Sequence, residues 1–271
     1  MTAFSLRATR PLIVSPLRWA RVVLTKHRPL ALLLRVAMPA AVFSIFGAIF
    51  VASGPADMDL SAEGAPGAGA IPLVLIGFLI VGQIVVLVSC SWLHLREITS
   101  KELGLSYTVF PSRAALVGGE ALVALVVGAV ASLISVVLAF AVYAFIGGVG
   151  LRAMFSSAVV ITAIVRVPLT VAVACVIALA LAVILRNPFF TVLVVVAWSS
   201  VGEDMLARIP GIGQALQSAA PLANGYYFSG MTTVPALSDN PWLCLLWLVA
   251  VCAIVLGTAV IVESRRKGNV H

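Results

Sequence analysis

Uninterrupted apolar runs dominate this sequence and leave few folds open to it. They extend from Leu30 to Ala52, Ile71 to Leu93, Ala114 to Ile146, Met154 to Leu185, Phe189 to Val201 and Trp242 to Val262. Five of the six reach the roughly 20 residues that carry an α-helix across a ~30 Å hydrocarbon layer. Backbone in lipid has no water to bond to, so each run satisfies its own N–H and C=O groups by becoming a helix. Only 10% of the 271 residues are charged, against about 25% in a soluble domain. A water-facing surface cannot be built from so few charges, and the sequence predicts an all-α integral membrane protein.

The fifth run is short. The chain beyond it, through Ile209, Ile212 and Leu216 to Pro221, mixes apolar residues with helix breakers. This pattern predicts one crossing followed by short re-entrant or external helices before the last span, for six transmembrane helices in all. Positive residues are retained on the cytoplasmic side during insertion. Arg7, Arg10, Arg18, Arg21, Lys26, Arg28, Arg35, Arg96, Lys101, Arg113, Arg186, Arg265, Arg266 and Lys267 put 14 of the 17 basic residues on one face. The opposite loops hold Asp57, Asp59, Glu63, Glu203, Asp204 and Asp239 against Arg152 and Arg208. Both termini are therefore expected in the cytoplasm, with the protein multi-pass in the cell membrane. The layout is a cytoplasmic interfacial segment over 1–29, a six-helix domain over 30–262 and a basic tail over 263–271.

Within the N-terminal segment, Arg18, Arg21, Thr25 and Arg28 recur at helical spacing, with Ala20, Val23 and Leu24 opposite and Trp19 at the boundary. The pattern predicts an amphipathic helix lying on anionic lipid headgroups. A net charge of +7 raises nucleic acid as a partner, but the basic residues flank apolar spans and form no aromatic-interleaved patch, so none is expected. Cys90, Cys175, Cys244 and Cys252 all lie in apolar runs, where a thiol is a small buried hydrophobe, and neither disulfide nor metal site is expected. Arginines scattered through the first 28 residues break the clean apolar core that a secretory signal needs.

Groups for catalysis are scarce. His27, His94 and His271 fall outside the six runs, none of the ten acids sits at the centre of one, and no H-E-x-x-H motif occurs. There is also no G-x-x-x-x-G-K-S/T phosphate loop, so energy from ATP has to come from another chain. Arg166, two residues before Pro168, is the ionisable group most deeply placed in a span. An Arg at a helix centre costs about 2.5 to 3.5 kcal/mol on the insertion scale, so it faces the bundle or a wet cavity. Two roles stay open for it: lining a translocation route, or pairing with Glu203 or Asp204 at the far end of the fifth span. Small residues every fourth position in the third span (Ala124, Gly128, Ser132) and the fourth (Ala174, Ala178, Ala182) favour close helix contact.

The segment after the second span carries Arg96, Glu97, Lys101, Glu102 and Gly104, with Pro111 and Arg113 leading into the third span. Glu97 and Lys101 stand one helical turn apart with the acid first, the favourable order for an i,i+4 pair. Mixed charge and length on the cytoplasmic face suit protein docking. A solvated connector is the plainer alternative.

Taken in order, these features resemble the ABC-2 type permeases. The likeness rests on the basic interfacial helix, the six spans, the Glu-containing loop leading to Pro111–Arg113, the Leu185-Arg186-Asn187 turn, and the Pro-containing segment before the last span. The resemblance implies the transmembrane subunit of an ATP-binding-cassette exporter, without an ATPase site or cofactor of its own. A separate ATPase chain would hold ATP and magnesium, a second permease copy would complete the pathway, and Arg96 to Gly104 would contain the helix touching the ATPase. Glu120 departs from the pattern, since a basic residue is expected just inside the third span. A non-transporting membrane scaffold or assembly factor is the alternative that the same spans allow.

Overall fold

The computed structural model describes residues 20–21, 29–53, 71–100, 113–148, 150–231 and 236–266. The described residues are mostly helical, with no strand among them. In chain order the helices are α1 (Pro29–Ala52), α2 (Ile71–Val74), a π-helical turn Phe78–Gly82 running into α3 (Gln83–Thr99), and α4 (Arg113–Ile146). There follow α5 (Leu151–Ser156), α6 (Ala158–Leu185), α7 (Pro188–Ala197) with a second π-helical turn Trp198–Gly202, then α8 (Glu203–Leu206), α9 (Gly213–Ser218), α10 (Pro221–Phe228) and α11 (Pro241–Arg265).

Five helices among the described residues are long and apolar enough to cross a membrane: Leu30–Ala52, Phe78–Thr99, Arg113–Ile146, Ala158–Leu185 and Pro241–Arg265. The fifth expected span, Phe189 to Val201, falls in the apolar helix Pro188–Gly202, which is short of that length. The fourth expected span loses its start, because Ser157 adopts an extended backbone (φ −67, ψ 123) and cuts α5 away from α6. The second runs past its expected end at Leu93, since nothing in Leu93 to Thr99 breaks a helix and α3 continues through them. His94 is therefore inside a candidate span, where the sequence placed it outside.

The turn between α6 and α7 shows how local chemistry fixes a boundary. Arg186 takes the left-handed conformation (φ 52) that ends α6, and the Asn187 side chain accepts hydrogen bonds from the N–H groups of Phe189 and Phe190. Pro188 then occupies the first turn of α7, where no N–H is needed. Asn240 and Pro241 repeat the device at the start of α11.

At the centre of the bundle, α6 packs against α3, α4 and α11. Its Ala174, Ala178 and Ala182 are fully buried, as are Ala124 and Ser132 of α4. A Cβ on Gly128 would stand 2.6 Å from Cys175 Sγ, so the absence of a side chain there is what lets α4 and α6 approach. Gly47 of α1 and Gly77, just before the π-helical turn, make a closer crossing still, since a Cβ on either would overlap the other's backbone. On the outside, Leu34, Met38, Phe46 and Phe50 of α1 and Trp242, Leu246 and Ile254 of α11 are exposed. That much apolar surface suits lipid as the surrounding medium.

Candidate functional site at the two ends of the bundle

Polar side chains gather at opposite ends of the bundle. At one end, Glu263 of α11 is fully buried and receives Nη2 of Arg186 and, at 3.3 Å, Nη1 of Arg266. Arg266 also donates to the carbonyls of Val183 and Ile184, both at 2.9 Å, and Arg113 Nη1 donates to the carbonyls of Glu263 (3.3 Å) and Arg266. Arg113 and Arg266 thus tie the start of α4, the end of α6 and the end of α11 together through carbonyl groups that a helix end leaves unsatisfied, and Arg186 adds a tie through the Glu263 carboxylate.

Deeper at the same end, His94 Nδ1 and Glu120 Oε2 lie 2.8 Å apart, the two side chains 0% and 1% exposed. His94 Nε2 and Glu120 Oε1 are buried with no hydrogen-bond partner among the described residues. A hydrogen-bonded pair offsets part of the cost of burying two polar groups in a low-dielectric core, and each residue depends on the other for it. The sequence put no acid at a span centre. Glu120 stands eight residues into α4, deep enough to be enclosed by neighbouring helices.

The opposite end is built around Glu203. Its Oε1 accepts from Trp198 Nε1 (2.8 Å) and from the Leu222 N–H (2.9 Å), and Oε2 accepts from the Ala223 N–H (2.6 Å). The carboxylate thereby caps the first turn of α10, where the helix dipole favours negative charge. Beside it opens a cavity of about 260 Å³, lined by Leu79, Ile80, Trp198, Ser200, Glu203 and Tyr226 among others. Both π-helical turns contribute to its wall, and such turns often mark places where a helix is distorted for a purpose. Tyr226 reaches from this wall to Gln83 Oε1, donating at 3.0 Å.

Arg166, half-buried in α6, donates to the Phe228 carbonyl at 3.2 Å, and its guanidinium carbon stands 5.1 Å from the Phe228 ring and 5.8 Å from the Trp242 ring. The pairing expected with Glu203 is not formed, because that carboxylate serves α10 and Trp198; the side chain of Asp204 lies outside the described residues. Aromatic faces and a carbonyl take the place of an acid in stabilising the cation.

On the connector after the second span, Arg96 is exposed at the end of α3, whereas Glu97 is 2% exposed and faces the bundle. Lys101, Glu102 and Gly104 lie outside the described residues, as do Arg18, Trp19 and Arg28 of the expected interfacial helix, in which Ala20 and Arg21 are helical. Compared with protein-family models, curated proteins and solved structures, the chain matches none of them.

Proposed function

We propose that this chain is the membrane subunit of an ATP-binding-cassette exporter, working as a pair of permease copies with a separate ATPase chain that binds ATP and magnesium. The observation that carries the reading is the asymmetry of the bundle. One end is tied by Glu263 and its arginines, while the other opens into a cavity walled by two π-helical turns. A pathway that opens to one side at a time needs such an inequality between its ends.

A sixth crossing is part of the proposal. Pro188 is two residues after Arg186, which is bound to the α11 end at Glu263, and Gly202 precedes Glu203, which is bound to α10. Phe228 of α10 packs its ring at a tilt against Trp242, at the opposite end of α11 from Glu263 (5.4 Å between centroids). The short helix therefore runs from one end of α11 to the other. Six crossings bring both termini to the same side, in keeping with the positive residues there.

Two experiments test this. A reporter after His271 or within residues 101–103 is expected in the cytoplasm and one within 57–66 outside; a tail on the external side removes the sixth crossing. Affinity purification from the native membrane is expected to bring down a P-loop ATPase, and Lys101→Glu to lose it at unchanged permease yield. Like-charge juxtaposition at an interface costs several kcal/mol, which is a loss of orders of magnitude in affinity. If the chain comes down with no ATPase, the scaffold reading replaces this one.

A further inference from the structure

We propose that Arg35 of α1 and Arg96 of α3 form a binding site for the phosphodiester of an anionic phospholipid, at the end of the bundle that carries Arg186 and Glu263. The two arginines line one cleft of about 210 Å³ with Leu32, Val36, Val88 and Trp92. Its level follows from the helices. Arg96 is two residues beyond His94, which pairs with Glu120 near the start of α4, and Arg113 at that start bonds the end of α11. Arg35 lies about 9 Å along α1 from Pro29, within reach of the interface for a long side chain.

Arg35 is what requires an anion. It stands in a candidate span, is exposed, and makes no hydrogen bond or ion pair with any described residue. A guanidinium facing lipid is costly unless it snorkels to the interface or meets a counter-charge. Among the described residues the cleft provides no counter-charge, since none of those lining it is acidic and Glu97 beside Arg96 is turned into the bundle. Arg96 has contacts of its own, yet its guanidinium adds a second positive charge rather than relieving the first.

The remaining lining fits a lipid better than a soluble anion. Trp92 is 45% exposed, and an indole at this level is a common interfacial anchor. Val88 lies about two turns deeper along α3 than Arg96, which provides an apolar wall below the charges for an acyl chain. A second copy of the chain is a poor occupant, because the described acids at this end, Glu97, Glu120 and Glu263, are all buried.

The test is retention of lipid by the purified chain, without any ATPase, read by native mass spectrometry from micelles containing equal phosphatidylglycerol and phosphatidylcholine. With two arginines engaged, phosphatidylglycerol is expected to be retained about thirtyfold over phosphatidylcholine. Arg35→Leu is expected to lose at least fivefold of that preference, and Arg35→Lys to keep most of it, with melting temperature as the control for folding. Equal retention of the two lipids by the parent overturns the site and needs no variant. So does an unchanged preference in a folded Arg35→Leu, or displacement of the lipid by millimolar inorganic phosphate, which would mark a small-anion site.

Discussion

Arg186 and Glu263, 77 residues apart in the chain, form an ion pair in which the carboxylate is fully buried and the arginine one-third exposed. The guanidinium reaches Glu263 from a residue whose backbone is left-handed, so one position both ends α6 and fastens it to α11.

Arg186→Ala is expected to destabilise the chain by about 1–3 kcal/mol, since it removes one of two cations from a buried carboxylate. Arg186→Gly loses the same ion pair but relieves the left-handed backbone, and is expected to be the more stable of the two by about 1 kcal/mol. Chemical unfolding in detergent separates them. Parental stability in Arg186→Ala would mean that Arg266 alone satisfies Glu263.

The His94–Glu120 pair yields a test by double substitution. Breaking a buried pair from one side is expected to cost about 3–5 kcal/mol, whereas replacing both partners by apolar residues is often neutral. His94→Leu and Glu120→Leu are therefore each expected to melt well below the parent, and the double variant above either single one. If the losses of the two single variants simply add in the double, the residues are not coupled.

Much of this architecture is legible in the sequence, and the exceptions share a cause. Span positions follow from apolar runs, and the α6–α7 turn from the order Arg186, Asn187, Pro188. The rows Ala124–Gly128–Ser132 and Ala174–Ala178–Ala182 are legible as contact surfaces. His94 and Glu97 are misplaced by the same reading, because an ionisable residue near the end of an apolar run is assigned to water by default, and Glu120, read just inside the third span, is given no partner. Only the neighbouring helices decide otherwise: α4 brings Glu120 to His94, a contact across 26 residues that no local pattern encodes. Arg166 fails in a related way, since charge suggests a carboxylate partner while the fold brings two aromatic rings and a carbonyl.

Where α1 crosses the chain just ahead of the first π-helical turn, Gly77→Val is expected to be among the most damaging apolar changes in the chain. The new side chain would meet the Phe43 carbonyl and the Gly47 backbone, neither of which can rotate away. Overpacking costs about 1–3 kcal/mol where neighbours adjust and more where they are backbone. Gly257→Ala is the control, because open space surrounds that position in α11. Similar yield and melting temperature for the two variants would show that the helices separate freely.

For Arg166, replacement by Leu is expected to lose about 1–2 kcal/mol through the Phe228 carbonyl bond and the aromatic contacts, and replacement by Lys to recover part of it. Removing the Trp242 ring in the Arg166→Leu background should then cost less than in the parent, a non-additivity measured by unfolding the four proteins. Strict additivity would remove the ring from any role in holding the cation.

A helix of 15 residues, Pro188–Gly202, rises only about 22 Å, whereas α6 beside it exceeds 40 Å. If it traverses the bilayer as proposed, the membrane cannot have one thickness around this protein. Lipid against Phe189, Phe190 and Leu193, all exposed, has to pinch inward, at a fraction of a kcal/mol for each ångström of mismatch. The protein would then sense acyl-chain length on one flank only, resting most comfortably where short-chain lipids can collect against that side and leave the opposite side to longer ones.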